Sequence, residues 1–401
     1  MKLIDLEGFI AAGETASELW ERLVEAAVHN RASDIHLAWQ ADGLHVALRL
    51  DGQLTPQGRI ASVDESNRLI NHVLVMAALD VGERRRPQAG RAMAKVDDRG
   101  IDLRVSVLPT NHGRDVVVRV LDRTVSLLEI EALGLPRREL NRLLGLVSAP
   151  SGLVLITGPT GAGKTTTLYA TLNRLNDGTR KIVTIEEPIE YDLNGINQAQ
   201  VNYRIGVDYA SLLRTVLQQD PNIIMIGEVR DAETAATAVR AAVTGHLVFA
   251  TLHAIEASAA VETLISLGAH PHFLGRALRG VVAQTLVRRL CPKCAERIDE
   301  TEAVLPLDDV RELIGPDEKP ALSMGRGCEH CHGSGYSGRM GLFEILVVTD
   351  ELRRLIEERQ PTAEIQAAAA RTGMWTLQQV GKLAALRGET TIEELVRILP
   401  T

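Results

Sequence analysis

This sequence of 401 residues predicts an α/β architecture with a mostly parallel sheet, preceded by a smaller α+β domain. Three observations carry that expectation. First, an apolar run, Leu153-Val154-Leu155-Ile156, leads into a glycine loop and then a helical pattern through Leu168 and Leu172. Second, strand-like runs at 181–185, 222–231 and 247–254 alternate with helix-like segments at 208–219, 231–243 and 256–267. Such alternation builds a parallel sheet with helices on both faces. Third, the segments ahead of the loop show period-two patterning with a hairpin signal, the mark of a separate small domain.

Composition narrows the class. Apolar residues make up 45% and charged residues 24%, as in a globular protein, and with aromatics at only 3% the cores must be built from Leu, Val, Ile and Ala. The net charge of −8, from 44 basic and 52 acidic residues, argues against a general nucleic-acid binder. No apolar run is long enough to span a bilayer, and MKLIDLEGFIAAGE lacks the pattern of a signal peptide. The chain therefore reads as cytoplasmic, with any membrane role exercised through partners.

The first domain, expected over residues 1–123, opens with an amphipathic helix. Thr15 and Glu18 form a capping box, and Leu19, Trp20, Leu23, Val24 and Ala27 share one face. Leu44, Val46, Leu48 and Leu50 alternate with polar or small residues as in a strand, and Asp51-Gly52 is a hairpin turn signal. A helix-like stretch follows at 65–78. Two more strands run over 101–110 and 114–123. Ile101, Leu103, Val105 and Val107 share one face of the first, and Val116, Val118 and Val120 one face of the second. Arg104 and Arg119 stand on the opposite faces, where a solvated arginine is the ordinary case. Residues 123–150 form a connector and one helix.

The second domain, 124–401, begins its chemistry at Gly158-Pro159-Thr160-Gly161-Ala162-Gly163-Lys164-Thr165-Thr166, which fits G-x-x-x-x-G-K-[ST] between a strand and a helix. Glycines let backbone N–H groups wrap phosphate oxygens, and the helix N-terminus adds positive potential there. Lys164 would reach the β/γ-phosphates of ATP, and the Thr165 hydroxyl would hold Mg²⁺. In a parallel sheet ligands sit at the carboxyl ends of strands, which brings Glu186, Glu187, Glu190, Glu228 and His253 to the rim of this loop. The Mg²⁺-side strand of such proteins ends in Asp. Here Gly227 holds that place and Glu228 follows it. Glu228 would hold Mg²⁺ through water or orient the attacking water, and Glu190 would act as its base. His246 and His253 would sense the γ-phosphate or bridge subunits, against the ordinary alternative of satisfied, partly buried histidines.

All four cysteines come as two pairs, Cys291-Pro-Lys-Cys294 and Cys328-Glu-His-Cys331, with 33 residues between them. Two such knuckles offer four thiolates to one Zn²⁺, a closed and therefore structural site. Disulfides are disfavoured in a reducing compartment. The long spacer must hold an inserted helix or loop, and His330 and His332 are spare ligands. The zinc subdomain is expected at about 288–345, followed by a polar helical tail over 346–401.

Taken together, RASDIHL with RLDGQL, LRVSVLPT, VVVRVLD, GPTGAGKTTTLY, VTIEEPIEY with INQAQVN, RTVLQQDPNIIMIGEVRDAETA, TGHLVFATLHA and the cysteine pairs with GYSGRMGLFEIL resemble the type II secretion and type IV pilus assembly ATPase family. The match runs from about residue 30 to 395, in family order. The resemblance implies a RecA-like P-loop domain preceded by a PAS-like domain. Glu190 matches the family's general base and Glu228 its Mg²⁺-side carboxylate. His246 and His253 match its histidine box, and Arg104 and Arg119 match arginines that close over the nucleotide. It further implies a homo-hexamer at the inner membrane, where ATP hydrolysis drives a platform protein that adds pilin or pseudopilin subunits. Four departures are visible. Glu187 replaces a usual Asp, Arg114-Asp115 reverses a usual pair, and Ala89 stands where an acid is common. Only about thirty residues precede the match, so the resemblance is to a short form without a further N-terminal domain.

Other classes fit less well. A DNA-uptake or nucleic-acid-translocating motor would use the same loop, but basic runs interleaved with aromatics are missing, so no direct nucleic-acid contact is expected. A GTPase would carry N-K-x-D, which is not in the chain. A scaffold without hydrolysis would not need Lys164, Glu190 and Glu228 together.

Overall fold

The computed structural model describes residue 6 and residues 15–122, 128–299, 306–313 and 320–399. The chain forms two compact units, Met1–Ser126 and Leu127–Thr401.

In the first unit, helix α1 (Ala16–His29) starts at the expected capping box. Thr15 Oγ1 accepts the Glu18 N–H at 3.3 Å, and the Glu18 carboxylate accepts the Thr15 N–H at 2.7 Å. Its stripe of Leu19, Trp20, Leu23, Val24 and Ala27 is buried, as is one face of α2 (Val63–Met76). Both pack on an antiparallel sheet of β1 (Asp34–Gln40), β2 (Gly43–Leu50), β3 (Gln53–Ile60), β4 (Gln88–Val96), β5 (Arg99–Pro109) and β6 (Arg114–Asp122), in the order β3-β2-β1-β6-β5-β4. Asp51 and Gly52 both take positive φ, 46° and 85°, as the two-residue hairpin between β2 and β3 demands. Strand β3 contains Pro56 and Gly58, residues that usually break strands. It tolerates them because it is an edge strand with a register shift: Val46 faces Gly58 and Ala47 faces Pro56.

The second unit is built on a seven-stranded sheet in the order β15 (Tyr336–Val347), β12 (Leu278–Leu290), β7 (Gly152–Thr157), β11 (Leu247–Leu252), β10 (Ile223–Ile226), β8 (Ile182–Glu186) and β9 (Asn197–Gln200). Helix α3 (Arg137–Val147) precedes β7 (Gly152–Thr157) and α4 (Lys164–Leu175). Then come β8 (Ile182–Glu186), β9 (Asn197–Gln200), α5 (Tyr209–Val216), β10 (Ile223–Ile226), α6 (Ala232–Val243), β11 (Leu247–Leu252), α7 (Ala257–Ser266) and α8 (Pro271–Ala277). Strands β7 to β11 pair in parallel; β7, β8 and β11 lie within a residue or two of the expected runs, β10 stops at Ile226, short of the expected 231, and β9 matches none of them. Their side chains are buried on both faces. Leu153, Leu155, Ile224 and Val248 pack towards α5, α6 and α7, while Val154, Ile156, Met225 and Phe249 pack towards α3 and α4.

Two long strands carry no mark in the sequence pattern. Strand β12 (Leu278–Leu290) pairs in parallel with β7, and beyond it β15 (Tyr336–Val347) runs antiparallel to β12. Strand β12 is buried on both faces over most of its length and β15 over its second half, so the alternation that betrays a half-exposed strand is missing. Between them lie β13 (Ala295–Arg297), α9 (Asp308–Arg311) and β14 (Ser323–Gly325). The tail is helical as expected: α10 (Asp350–Glu357), α11 (Thr362–Arg371), α12 (Leu377–Leu386) and α13 (Ile392–Ile398). Among the described residues no helix is long and apolar enough to cross a membrane.

Candidate functional site

The loop after β7 needs its glycines. Gly158, Gly161 and Gly163 have φ of 146°, 80° and 84°, and a Cβ at Gly158 would lie 2.1 Å from the Gln284 carbonyl oxygen. Gly163 is the N-cap of α4, so Lys164 and Thr165 begin the helix with its free N–H groups. Lys164 Nζ donates to the carbonyls of Gly158 at 2.7 Å and Pro159 at 3.1 Å. Burial pulls its pKa below the usual lysine value, and Glu228 opposes that shift.

The rim forms because neighbouring strand ends are tied together. Thr157, the last residue of β7, donates through Oγ1 to the Ala254 carbonyl at 2.7 Å and accepts the Ala254 N–H at 2.8 Å. That fixes the turn after β11 and places His253 Nδ1 3.4 Å from Lys164 Nζ. His253 Nε2 lies 3.0 Å from Glu228 Oε1. The Nε2–H tautomer satisfies both contacts, donating to the carboxylate and accepting from the ammonium. Glu228 Oε2 accepts from Arg230 at 2.7 Å, and Arg230 also binds Glu187 at 2.8 Å. Burial would raise the Glu228 carboxyl, but Arg230, His253 and Lys164 together hold it below the ordinary glutamate value. Gly227 precedes it because space is short: a Cβ there would stand 3.0 Å from the Ile185 carbonyl and 3.1 Å from the Tyr209 hydroxyl. Lys164, Thr165, Glu187, Glu190, Glu228 and His253 line one cavity of about 150 Å³ at this rim.

Glu186, at the same strand end, takes a different part. It is buried and accepts from the Tyr169 hydroxyl, from Thr184 Oγ1 at 2.5 Å and from Gln198 Nε2 at 3.0 Å. Burial and the Glu186 charge push the Tyr169 phenol well above its ordinary range. The same phenol oxygen accepts the Glu190 N–H at 3.3 Å, so Tyr169 and Glu186 anchor the backbone that carries Glu190.

His246 is not brought to this rim. Its carbonyl accepts the N–H of Gly152 at 3.0 Å, at the start of β7, whereas the loop leaves the other end. Six strand residues, roughly 17–20 Å, intervene. Its Nδ1 instead lies 3.0 Å from the Ala241 carbonyl. Sensing of a γ-phosphate in its own chain is thereby removed from its expected roles.

In the first unit, strand register lines up residues far apart in sequence. Arg91 faces Arg104, Arg104 faces Arg119, Arg119 faces Asp34, and Asp34 faces Arg49. Arg119 Nε lies 3.3 Å and Arg49 Nε 3.6 Å from Asp34, a carboxylate almost wholly buried. Arg91, Arg104, Arg119 and Asp34 line a cavity of about 400 Å³. Arg91, Asp34 and Arg49 are the members that sequence reasoning missed, since only the register puts them in the row. The reversed pair is structural: Arg114 donates to the Val81 carbonyl and to Asn71, and Asp115 accepts the Trp39 N–H.

The four cysteines cluster. Sγ atoms of Cys291 and Cys328 are 3.8 Å apart, those of Cys294 and Cys331 3.7 Å, and those of Cys328 and Cys331 3.7 Å. A tetrahedron with Zn–S of about 2.3 Å has edges of about 3.8 Å, so the donor set fits one zinc ion. Cys331 Sγ accepts the N–H groups of Cys328 and Gly335, both at 3.2 Å. Although burial opposes ionisation, these bonds bring that thiol down to about 6.

A family model described as "Type II/IV secretion system protein" matches residues 12–397. The chain belongs to this family. A type II secretion system protein E of Pseudomonas aeruginosa is 43% identical over 388 residues, covering 94% of this chain and 75% of that protein. The type IV pilus assembly ATPase PilB of Thermus thermophilus is 41% identical over 384 residues, covering 95% of this chain but 42% of its own length. Among solved structures, the pilus retraction motor PilT with bound ADP superposes with a TM-score of 0.63 at 25% identity, covering 95% of this chain and 97% of that one. The Legionella pneumophila ATPase DotB, at 20% identity and a TM-score of 0.69, covers 96% of each chain and shows the same fold.

Proposed function

We propose that this secretion-family protein is an ATP-hydrolysing motor for assembly of a type IV pilus or a type II secretion pseudopilus. One observation carries the chemical part: Lys164, Glu228 and His253 converge on a glycine loop and helix N-terminus, with Thr165 and Glu190 lining the same cavity. The N–H groups from Thr160 to Thr166 would cradle the phosphates. Lys164 would exchange the loop carbonyls for β/γ-phosphate oxygens and offset charge on the transferring group. Glu190 would take the proton of the attacking water, its backbone held by Tyr169. Thr165 and Glu228 are hard oxygen donors suited to Mg²⁺, which when bound would neutralise charge between the β- and γ-phosphates. Each Glu228 oxygen accepts from one of Arg230 and His253 and keeps a second lone pair, through which it would hold Mg²⁺ directly or by way of water.

Arg104 and Arg119 of the first unit would supply transition-state charge, as arginines do in related phosphoryl-transfer sites. The four thiolates would hold one structural Zn²⁺. The resemblance to the family further suggests a homo-hexamer working on an inner-membrane platform protein and, through it, on pilin or pseudopilin subunits, while the names of the relatives, a type IV pilus assembly ATPase and a type II secretion system protein E, support only the pilus or secretion setting. The test of the chemical part is phosphate release from ATP. The native chain is expected to turn over ATP, and Lys164→Ala is expected to lose that activity. Equal turnover by the two would refute the mechanism.

A further inference from the structure

Strand β12 walls the phosphate loop, and Gln284 is the residue of contact. Ala283 pairs with Thr157, so Gln284 lies level with the start of the loop. Its side chain is 1% exposed. Nε2 donates to the Ala162 carbonyl at 2.7 Å. Its own carbonyl oxygen fills the space a Cβ on Gly158 would need, and a Cβ on Gly163 would stand 3.4 Å from Nε2. One side chain and its backbone thus hold the loop at its first, fifth and sixth residues.

The direction of the amide is set by chemistry. Facing a carbonyl, only the NH₂ end can be turned towards Ala162. That leaves Gln284 Oε1 buried without a hydrogen-bond partner among the described residues. A buried unpaired acceptor is costly, and an apolar side chain of the same length would avoid it. The amide therefore serves through its donor. In a planar trans peptide the C=O and the following N–H point to opposite sides. Drawing the Ala162 carbonyl onto β12 turns the Gly163 N–H away from β12, at the N-cap of α4. Successive N–H groups presented in this way make an anion-binding nest.

We infer that Gln284 is a positioning residue for polyphosphate binding: it locks the Ala162–Gly163 peptide in the orientation that offers the Gly163 N–H to a phosphate. The inference rests on the nucleotide-binding reading of the loop. Its test is calorimetric titration of the full chain with ADP and, in competition, inorganic pyrophosphate. The proteins are native, Gln284→Met, which keeps length but not the donor, and Gln284→Asn, which stays polar but falls one methylene short. Thermal midpoints without nucleotide are recorded alongside. Both variants are expected to lose about tenfold in affinity for ADP and for pyrophosphate alike, the scale of one positioned hydrogen bond. Their midpoints should stay within about 1 °C of native, less than a tenfold change in the folding equilibrium would produce in a unit of this size. Affinities within about twofold of native, a range that mere context can produce, would overturn the inference. So would losses that simply track a falling midpoint, since those would mark a packing role. A native chain that binds neither ADP nor pyrophosphate would remove the nucleotide reading itself, a failure distinguishable from the other two.

Discussion

Glu228 stands one residue beyond the place where the Mg²⁺-side carboxylate of a phosphate-loop protein is usually found, and Gly227 supplies a physical reason. The backbone there runs close against Ile185 and Tyr209, so a side chain would crowd both and the acid is carried by the next residue. Lys164, Glu228 and His253 were legible as rim residues because each follows an apolar run that ends at the same edge. The residues that hold them were not. Tyr169 and Glu186 bracket the Glu190 backbone through contacts 17 and 21 residues apart, and Gln284 reaches the loop from 122 residues away. No local pattern announces such pairings. His246, grouped with His253 by motif, lies at the far end of β11 because six strand residues separate the two. The division of labour at the rim predicts that Glu190→Gln lowers ATP turnover by about 10²–10⁴-fold, the usual range for a lost general base, while ADP affinity is kept. Steady-state phosphate release and ADP titration check this, and a variant with native turnover would strike Glu190 from its role.

At the level of elements, the core strands of the parallel sheet could be read from apolar runs, but the sheet edge that organises the cysteines could not. Cys291 follows β12 directly, and Cys328 and Cys331 precede β15, so the pairing of these two strands brings the knuckles together. Burial on both faces, along most of β12 and the second half of β15, hid them. Metal analysis is expected to find one zinc per chain, and Cys291→Ser to lose it together with folding yield, because metal binding and folding of such knuckles are coupled. A well-folded native protein free of zinc would contradict that. The C-terminal helices are locked to the same edge by Glu394 on α13. It accepts from Arg288 on β12 at 2.7 and 3.0 Å and from Arg397 at 2.6 and 2.8 Å, with its side chain fully buried. Burial would raise this carboxyl, but the two arginines hold it below the ordinary value of 4.5. Its stabilising contribution is therefore present above about pH 4.5 and lost as the pH falls through the lower folded-state value. Glu394→Ala, which strands the largely buried Arg288 guanidinium, is expected to cost about 3–5 kcal/mol in urea unfolding at pH 7 and less in acid. An equal or smaller loss at pH 7 than in acid would reverse the sign and dismiss the argument.

For the whole molecule, the two units divide the chemistry. The second holds the phosphate loop, the carboxylates and the cysteine cluster. The first holds a row of arginines, Arg91, Arg104 and Arg119, that only the register of β4, β5, β6 and β1 assembles around Asp34. Sequence patterning found the strands of Arg104 and Arg119 but not their neighbour, since the β4 segment QAGRAMAKV is rich in small residues that carry little strand signal. The proposed motor function assigns Arg104 and Arg119 the role of supplying transition-state charge. The most direct measurement is ATP turnover and ADP affinity, taken side by side, for native protein and Arg104→Ala. Turnover is expected to fall by about 10³-fold or more, the scale of a lost transition-state arginine, with ADP affinity retained. Turnover close to native in Arg104→Ala would contradict the account.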